Sequence, residues 1–541
     1  MKNRGIEGTE NVDSYLNPNY KKGFHNPFLM KDMDKAIERL NRAIEKKERI
    51  VIFGDYDVDG ISGTAVLYNA LTLCGANLSY RLPHRLHDGY GLNIKFIDEF
   101  KDLGVKVLIT VDCGISCREQ INQASHFGID VIITDHHTIP EQIPERAYAI
   151  LHPKQSDCPY PFKGLTGAGV AYKLASALIT ARFDGPERDK LLFQLLDLAS
   201  LGTVADIGPL LDENRIIVKY GLEAMQNSAW PGLQLLMESA GMKTEDKPNV
   251  SDIGFKIGPR INAAGRIDHP YFALQMLLHK GDYLEGRQKA AYLEKLNQER
   301  QQMVQKALEE AELKFAEKPA NQKIFIAWSP GWHVGILGLI CSRFVERHNM
   351  PTIILQEHAE HLVASFRSTE NFNAVDALNH VKDLLDHYGG HAQAAGFSIK
   401  KANLPAFNEA IFNYAADALE THKFEQQLAI DAELEKSDIN DNFLRLLSQM
   451  EPYGVGNEKP IFIVRNIIPE DLKAVGKEQN HLHFHANTGK GRISSIAFKM
   501  GRFLPELANY KNVDLAFHLD KNVFNGREHI QFQVLDIVPA S

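Results

Sequence analysis

The feature that most constrains this fold is a series of short apolar runs separated by segments of helical periodicity. RIVIF (49–53), KVLITV (106–111) and DVIIT (130–134) are rich in β-branched residues and almost continuously apolar. Such runs are typical of strands that are buried on both faces of a parallel sheet. Helical patterns such as GTAVLYNALTLCG and REQINQASHFG lie between them. The sequence therefore predicts an α/β fold with a doubly wound parallel sheet in its first half.

The rest of the chain divides further, since 541 residues exceed what one hydrophobic core can organise. From Tyr283 to Lys318 the sequence is nearly free of Gly and Pro and carries an apolar stripe. This stretch predicts one long connecting helix, about 50 Å at ~1.5 Å per residue. A second α/β domain follows, and short alternating runs with Gly and Asn turns then predict a β-barrel of OB type. The expected boundaries are 1–280, with an N-terminal helical lead, 281–320, 321–420 and 425–541.

Composition indicates an ordinary soluble protein, with 44% hydrophobic and 24% charged residues. The polar N-terminal stretch shows no signal-peptide pattern, and no apolar run is long enough for a membrane span. The five scattered cysteines are expected to be reduced thiols in a cytoplasmic protein. The net charge of −9 does not decide whether nucleic acid binds, because phosphates meet a local groove and not the total charge.

Each of the three early strands runs directly into an acidic motif. FGDYDVDG supplies Asp55, Asp57 and Asp59, TVDCG supplies Asp112, and ITDHH supplies Asp135, His136 and His137. Ligands of open parallel sheets bind outside the carboxyl ends of the strands, where the strand order reverses. These residues should therefore converge on one crevice, and Asp206 in LASLGTVADIGPL is the natural residue to complete the group.

Converging carboxylates must take up protons or cations, since two unit charges ~4 Å apart cost ~4 kcal/mol at an effective dielectric of about 20. Oxygen ligands with one or two imidazoles favour Mg²⁺ or Mn²⁺ over zinc. A single Asp after a strand is more often a helix N-cap than a ligand, and an isolated His-His pair is usually structural. Three consecutive strand ends of this kind nevertheless favour a metal site. Asp59 either caps the following helix or stands behind the ligands.

GDYDVDG, VDCG, DHH and ADIGPL together resemble the successive motifs of the DHH phosphoesterase superfamily. LNPNYKKGFHNPFLMKDMDKA, HPKQSDCPYPFKGLTGAGVAYKL and GFKIGPRINAAGR are similar to the bacterial RecJ exonucleases within that superfamily. GGHAQAAGFS resembles the signature of the DHH-associated domain, and EPYGVGNEKPIF resembles the start of the RecJ oligonucleotide-binding domain. The resemblance spans nearly the whole chain. It implies a DHH catalytic domain, a DHH-associated domain and an OB-like nucleic-acid-binding domain.

The resemblance also implies two divalent metal ions, Mn²⁺ or Mg²⁺, and a role for each acidic motif. Asp55, Asp57 and Asp112 would share the ions with Asp112 as the bridge, and His136 and Asp206 would complete the second ion's ligands. His137 would face the scissile phosphate. Asp135 would orient an imidazole, as the partner of a ligating histidine usually does. The predicted catalytic set is Asp55, Asp57, Asp112, His136, His137 and Asp206, with Asp59 and Asp135 behind it.

The residues expected to hold the substrate leave alternatives open. Gly389 and Gly390 stand before a predicted helix of small residues, where backbone N–H groups could cradle a phosphate beside His391. A tight left-handed turn is the other interpretation.

Three arginines and one basic loop are further candidates for substrate contact. Arg260, Arg266 and Arg367 could grip phosphates bidentately or form surface salt bridges. Arg85 and Tyr90 could pair with a phosphate and stack on a base, or form a turn packed on the sheet.

The implied function is a single-stranded-DNA-specific 5′→3′ exonuclease that releases mononucleotides in DNA recombination and repair. Its polarity follows only from the resemblance. Single-stranded DNA is the expected partner, with a helicase and a single-strand-binding protein as further candidates, no membrane, and a monomeric chain. The alternative is a DHH phosphoesterase that acts on short oligoribonucleotides, nucleotide bisphosphates or cyclic dinucleotides. A non-catalytic nucleic-acid scaffold is a third possibility, which the intact Asp and His set disfavours.

Overall fold

Two units organise the chain in the structure, a computed structural model that describes residues 1, 4–85, 87–89, 91–243, 245–420, 427–489, 491–524 and 527–540. One unit contains residues 26–206 and 221–426, and the other contains residues 1–25, 207–220 and 427–541. Among the helices of the described residues, none combines the length and the hydropathy needed to cross a membrane.

A five-stranded parallel sheet lies at the centre of the first half. Its strands are β1 (Arg49–Gly54), β2 (Asn77–Arg81), β3 (Val107–Val111), β4 (Asp130–Thr134) and β5 (Ala149–Leu151), in the order β2-β1-β3-β4-β5. The three strands predicted from apolar runs are confirmed. The strand order reverses between β1 and β3, and such a reversal opens a crevice at the carboxyl ends of the two strands.

Helices alternate with these strands and continue beyond them. They are α1 (Thr9–Leu16), α2 (Met33–Glu45), α3 (Val58–Leu73), α4 (Ile94–Asp102), α5 (Arg118–His126), α6 (Gly167–Thr180), α7 (Gly185–Gln194), α8 (Leu196–Ala205), α9 (Asp212–Met225), α10 (Pro231–Ser239), α11 (Val250–Asp252), α12 (Gly258–Ile267) and α13 (Tyr271–Leu277). One face of the sheet packs on α4 and α5 in a core that includes Phe53, Phe96 and Ile133. The doubly wound prediction is confirmed.

Helix α3 is central to this domain because it is apolar on nearly every side. Almost all of its residues from Val58 to Leu71 are buried, and it packs against α6 and α8. A helix that is apolar all round belongs in a core. The acidic motif that opens α3 is therefore held in the interior of the domain.

The predicted connecting helix is α14 (Tyr283–Ala316), and it leads into a second α/β domain. That domain contains β6 (Phe325–Ser329), α15 (Leu337–His348), β7 (Thr352–His358), β8 (His361–Arg367), α16 (Ala374–His380), β9 (Leu385–His391), β10 (Ala394–Lys400) and α17 (Leu404–Ala418). Its sheet has the order β6-β7-β8-β10-β9, and only the pair β6 and β7 is parallel.

The GGHAQAAGF segment forms a hairpin, so the predicted helix after the two glycines is wrong. Gly389 and Gly390 lie in β9 and pair with Gly396 and Ala395 of β10. The residues of β10 alternate between buried and exposed, with Ala395 and Phe397 in the core. This period of two is that of a strand, and the burial it provides overrides the helical tendency of the alanines.

The C-terminal part is a closed barrel, as predicted. It contains β11 (Ala432–Glu433), α18 (Asp441–Ser448), β12 (Phe462–Val475), β13 (His481–Asn487), β14 (Arg492–Ala497), α19 (Leu504–Leu507), β15 (Val513–Phe524) and β16 (Arg527–Pro539). The strand order is β11-β12-β13-β14-β16-β15, and β15 pairs back with β12 to close five strands into a barrel. Alternate residues such as Leu482 and Phe484 fill its interior.

Candidate metal centre

Carboxylates meet at the crevice between β1 and β3. Asp55 follows β1, and Asp112 follows β3, whose last residue pairs with the last residue of β1. Asp57 caps α3, because its side chain accepts hydrogen bonds from the backbone N–H groups of Asp59 (3.0 Å) and Gly60 (3.1 Å). Carboxylate oxygens of Asp55, Asp57 and Asp112 all lie within 4.8 Å of one another. The predicted convergence of the first two motifs is therefore present.

Asp112 occupies an unusual backbone position. Its φ of 60° is left-handed, a conformation uncommon for residues other than Gly, although Asn and Asp adopt it more often than most. Gly167, the first residue of α6, lies against it, and a Cβ at Gly167 would stand 2.5 Å from the Cβ of Asp112. Backbone strain of this kind persists where the surroundings hold it and is concentrated at functional sites.

The third motif brings His136 to the same carboxylates. Its Nε2 lies 3.0 Å from Oδ1 of Asp112, 3.5 Å from Oδ2 of Asp206 and 3.7 Å from Oδ2 of Asp59. Three overlapping groups of potential metal ligands result: Asp55 with Asp57 and Asp112, Asp112 with His136 and His137, and Asp59 with His136 and Asp206. Asp112 belongs to the first two of these groups.

The structure excludes one of the two places that the sequence left open for Asp59. It does not cap its own helix, since Asp57 does so. Its buried carboxylate instead accepts hydrogen bonds from the backbone N–H groups of Gly167 and Ala168 (2.6 and 2.9 Å), at the start of α6. Asp59 therefore joins α3 to α6 while facing His136, and we include it in the acidic cage, defined as Asp55, Asp57, Asp59, Asp112, His136 and Asp206.

Asp135 stands behind the second histidine. Its Oδ1 lies 2.8 Å from Nδ1 of His137, and its Oδ2 accepts from the backbone N–H of Ile115 (2.9 Å). Burial opposes its ionisation, but these hydrogen bonds prevail and lower the pKa of Asp135 to about 2. Because Asp135 stays ionised, it raises the pKa of His137 against the effect of burial and fixes the orientation of that imidazole.

The electrostatics of the acidic cage call for cations. Burial and carboxylate neighbours raise the pKa of Asp55 and of Asp112 well above the ordinary value of 3.8, that of Asp59 to about 7 and that of Asp206 to about 8. Burial, with His137 nearby, lowers the pKa of His136 to about 3, so its imidazole is neutral, the form that binds metals. Oδ1 of Asp55 is buried without a hydrogen-bond partner among the described residues. A set of carboxylates with one imidazole fits Mn²⁺ or Mg²⁺.

A group of guanidinium side chains gathers beside the acidic cage. Burial, together with the positive charges of Arg85, Arg300 and Arg367, lowers the pKa of Arg266 to about 9, while Asp57 acts in the opposite sense. We call these four residues the arginine cluster. Its charges repel one another in the absence of an anion, which is the arrangement expected of a phosphate-binding site.

The cluster joins the two α/β domains of this unit. Arg266, near the end of α12, donates to the backbone carbonyl of Gly335 (3.0 Å). Arg85 places its guanidinium 4.4 Å from the ring centre of Tyr56, the residue between Asp55 and Asp57. Arg300 was not predicted from the sequence, because it lies among other polar residues of α14 and no motif marks it.

The remaining candidates lie elsewhere or are engaged. Arg260 forms an ion pair with Glu294 of α14 (2.6 Å), the salt-bridge alternative left open by the sequence. Gly389, Gly390 and His391 form the exposed end of β9. Tyr90 lies outside the described residues.

Comparisons with known proteins agree with this organisation. Family models match for the N-terminal domain of the DHH family (residues 49–203), the DHHA1 domain (321–417) and the RecJ OB domain (430–536). The single-stranded-DNA-specific exonuclease RecJ of Haemophilus influenzae is 32% identical over 99% of this chain and 95% of its own length. RecJ of Bacillus subtilis is 33% identical over 98% of this chain, which spans 66% of that relative. The crystal structure of Thermus thermophilus RecJ in complex with Mn²⁺ covers 100% of this chain and 75% of its own, with a TM-score of 0.84 and 30% identity.

The fold and the site together define a DHH-type α/β domain with an acidic cage, followed by a DHHA1 domain and an OB barrel. Within that class, the chain belongs to the RecJ family.

Proposed function

We propose that this protein is a single-stranded-DNA-specific 5′→3′ exonuclease that releases mononucleotides by two-metal-ion hydrolysis. The observation that carries the proposal is the pair of adjacent ligand groups that share Asp112. RecJ relatives are named single-stranded-DNA-specific exonucleases, and one of them has been solved with Mn²⁺. The proposed substrate and ion are inferred from the names of these relatives, and the proposed reaction is inferred from the ligands of the acidic cage.

The acidic cage would hold two ions, Mn²⁺ or Mg²⁺. Asp55, Asp57 and Asp112 would hold one ion. His136 would hold the other together with Asp112 and Asp206, whose carboxylate oxygens lie 3.0 and 3.5 Å from its Nε2. When bound, the two cations would acidify an attacking water and neutralise the charge that develops on the phosphate. Asp59 lies close enough to His136 to contribute an oxygen as well.

His137 would act on the scissile phosphate directly. Oδ1 of Asp135 lies 2.8 Å from Nδ1 of the His137 imidazole and raises the pKa of His137, which keeps a proton available on the ring. A donor fixed in this way can hydrogen-bond a non-bridging oxygen or protonate the leaving group. The residue would therefore complement the cage by supplying a proton.

The arginine cluster would hold the phosphates that neighbour the scissile phosphate in the same DNA strand. Arginine grips phosphate with two parallel hydrogen bonds, and the half-buried position of Arg266 strengthens that attraction. We also propose that the OB barrel, which matches the RecJ OB domain, binds single-stranded DNA.

A nuclease limited to single strands needs unwound DNA. We therefore propose a helicase and a single-strand-binding protein as partners of a monomeric enzyme, and a role in DNA repair and recombination in the cytoplasm.

The experiment uses the full-length protein with Mn²⁺. Single-stranded DNA labelled at either end is incubated beside duplex DNA, a short RNA and a cyclic dinucleotide. Early release of a labelled mononucleotide from the 5′ label alone, with duplex DNA intact, is the expected result. Preferential cleavage of the short RNA or the cyclic dinucleotide would instead assign the protein to the oligoribonucleotide and cyclic-dinucleotide phosphoesterases. Failure to cleave any of the four would leave the non-catalytic scaffold.

A further inference from the structure

The segment that follows β5, His152-Pro153-Lys154, lies beside the two histidines of the metal centre. Strands β4 and β5 are parallel neighbours, and Thr134 of β4 pairs with Leu151 of β5. The residues after β5 therefore emerge next to the residues after β4.

His152 is fully buried and binds the backbone of His137. Its Nδ1 accepts a hydrogen bond from the backbone N–H of Lys154 (3.2 Å). Its Nε2 therefore carries the proton and donates to the carbonyl of His137 at 2.9 Å. Removal of this imidazole would leave a carbonyl without its partner in the interior.

Lys154 holds the neighbouring peptide. Its side chain is exposed along its length, but its Nζ donates to the carbonyl of His136. Its charge also acts on Asp135 and Asp206, two carboxylates on either side of the histidines. Consecutive carbonyls of the two histidines are thus each held by a side chain from one short segment.

We propose that Lys154 and His152 are positioning residues that aim His136 toward the metal site, and that Lys154 sets the affinity of the ion bound by His136 and Asp206. The inference rests on the proposed two-metal centre. The direction of the imidazole depends on the peptide that carries it, and two side chains fix the peptides at His136 and His137. Partners of this kind typically change metal affinity about 10- to 100-fold when they are removed.

The charge of Lys154 and its hydrogen bond to His136 should change the metal affinity in opposite directions. An ammonium group near a cation site repels the cation, so loss of the charge alone would strengthen metal binding. Loss of the hydrogen bond to His136 would weaken it. A Lys154→Met variant separates the two effects by the direction of the change.

Mn²⁺ is titrated into the metal-free protein, and binding is followed by calorimetry and by the electron paramagnetic resonance of the free ion. The wild type is expected to bind two ions. Lys154→Met should weaken one of the two sites by about tenfold or more while the other is unchanged. Lys154→Arg keeps the charge and the donor and should restore most of that affinity.

Lys31 offers a matched control that contacts the same loop outside this segment. Its Nζ donates to Oδ2 of Asp157 at 2.6 Å, and its side chain does not bond to His136, His137 or the segment 152–154 among its described contacts. Lys31→Met should keep both Mn²⁺ sites. His152→Gln tests the same inference from the second partner and should weaken the same site as Lys154→Met.

Each outcome has one meaning. Unchanged or tighter Mn²⁺ binding by Lys154→Met, or an equal loss in Lys31→Met, overturns the positioning role. A wild-type protein that binds no Mn²⁺ overturns the two-metal proposal itself. The melting temperature of each metal-free variant verifies that it is folded, and if Lys154→Met does not fold, His152→Gln and Lys154→Arg decide the question.

Discussion

The acidic cage and the arginine cluster lie side by side in one unit but are built in opposite ways. Three of the six cage residues, Asp55, Asp112 and His136, follow adjacent strands of one sheet and are therefore placed by their backbones. The arginine cluster draws on a loop, two helices and a strand of a second sheet. A short carboxylate has little freedom once its backbone is fixed, whereas an arginine reaches its target through a long flexible chain.

This difference predicts how the activity should respond to substitutions in each region. Metal ligands must lie within tenths of an ångström of their positions, and strand ends hold them there. A phosphate can be met by several guanidinium groups that adjust to it. Substitutions in the cage should therefore have all-or-none effects, and substitutions in the cluster should have graded effects.

The largest effect is expected for Asp112→Asn. Asn tolerates the left-handed backbone at this position but cannot bridge two cations as a carboxylate does. Nucleotide release from single-stranded DNA with Mn²⁺ should fall by roughly a thousandfold or more. The melting temperature of the metal-free protein should not fall, because a repulsion among buried carboxylates is removed.

Asp98→Asn is the control for this variant, since Asp98 is exposed and bonds only to Gln123 among its described contacts. It should retain full activity. Full activity in Asp112→Asn would refute the role of Asp112.

A smaller but still large effect is expected for Gly167→Ala. The new methyl group would stand 2.5 Å from the Cβ of Asp112, so either the carboxylate or the start of α6 must move. Activity should fall by about a hundredfold, and the free energy of unfolding should fall by about 1–3 kcal/mol. Nucleotide release measures the activity, and denaturant unfolding measures the free energy of unfolding.

Gly169→Ala is the matched control in the same helix. Its methyl group would meet the flexible end of Leu165 at 3.2 Å, and alanine is the better helix former. It should be as active as the wild type. Equal losses in the two variants would indicate damage to the helix and not to the position of Asp112.

Arg266→Gln tests the graded response of the arginine cluster. Affinity for single-stranded DNA should fall by about tenfold, and the slope of log affinity against log salt should decrease by about one, because one phosphate contact is lost. Catalysis at saturating DNA should change little, since the other guanidinium groups remain. Arg260→Gln, whose arginine is paired with Glu294, should bind DNA nearly as well as the wild type. A larger loss in Arg260→Gln than in Arg266→Gln would reverse this assignment.

The smallest effect concerns the stability of the metal-free protein against pH. The pKa of Asp59 is raised to about 7 and that of Asp206 to about 8, both above the ordinary value of 3.8. The folded state therefore holds protons that the unfolded state releases, and their stabilising effect is lost as the pH rises through these values. The melting temperature in a chelating buffer should fall from about pH 5 to about pH 8, and excess Mn²⁺ should restore it at the upper end.

Asp206→Asn should flatten that pH dependence, and Asp98→Asn should leave it unchanged. A flat profile for the metal-free wild type would mean that the carboxylates of the cage ionise without mutual repulsion.

The convergence of the acidic motifs could be predicted from the sequence pattern alone. Continuous apolar runs in the sequence identify buried parallel strands. The carboxyl ends of neighbouring parallel strands lie at the same edge of the sheet, so the convergence of Asp55, Asp112 and His136 could be predicted. The segment His152-Pro153-Lys154 after β5 could have been found by the same rule, because β5 ends at the same edge of the sheet.

The features that sequence patterns did not predict all depend on contacts between residues far apart in the chain. The alanines after Gly390 form a strand because a sheet was available to bury them. Asp59 serves the start of α6 and not its own helix, and Gly167 lacks a side chain because Asp112 lies against it. Arg300 joins the arginine cluster from the middle of a long helix. These features depend on pairings between residues far apart in the chain, and local sequence patterns report only burial and backbone period.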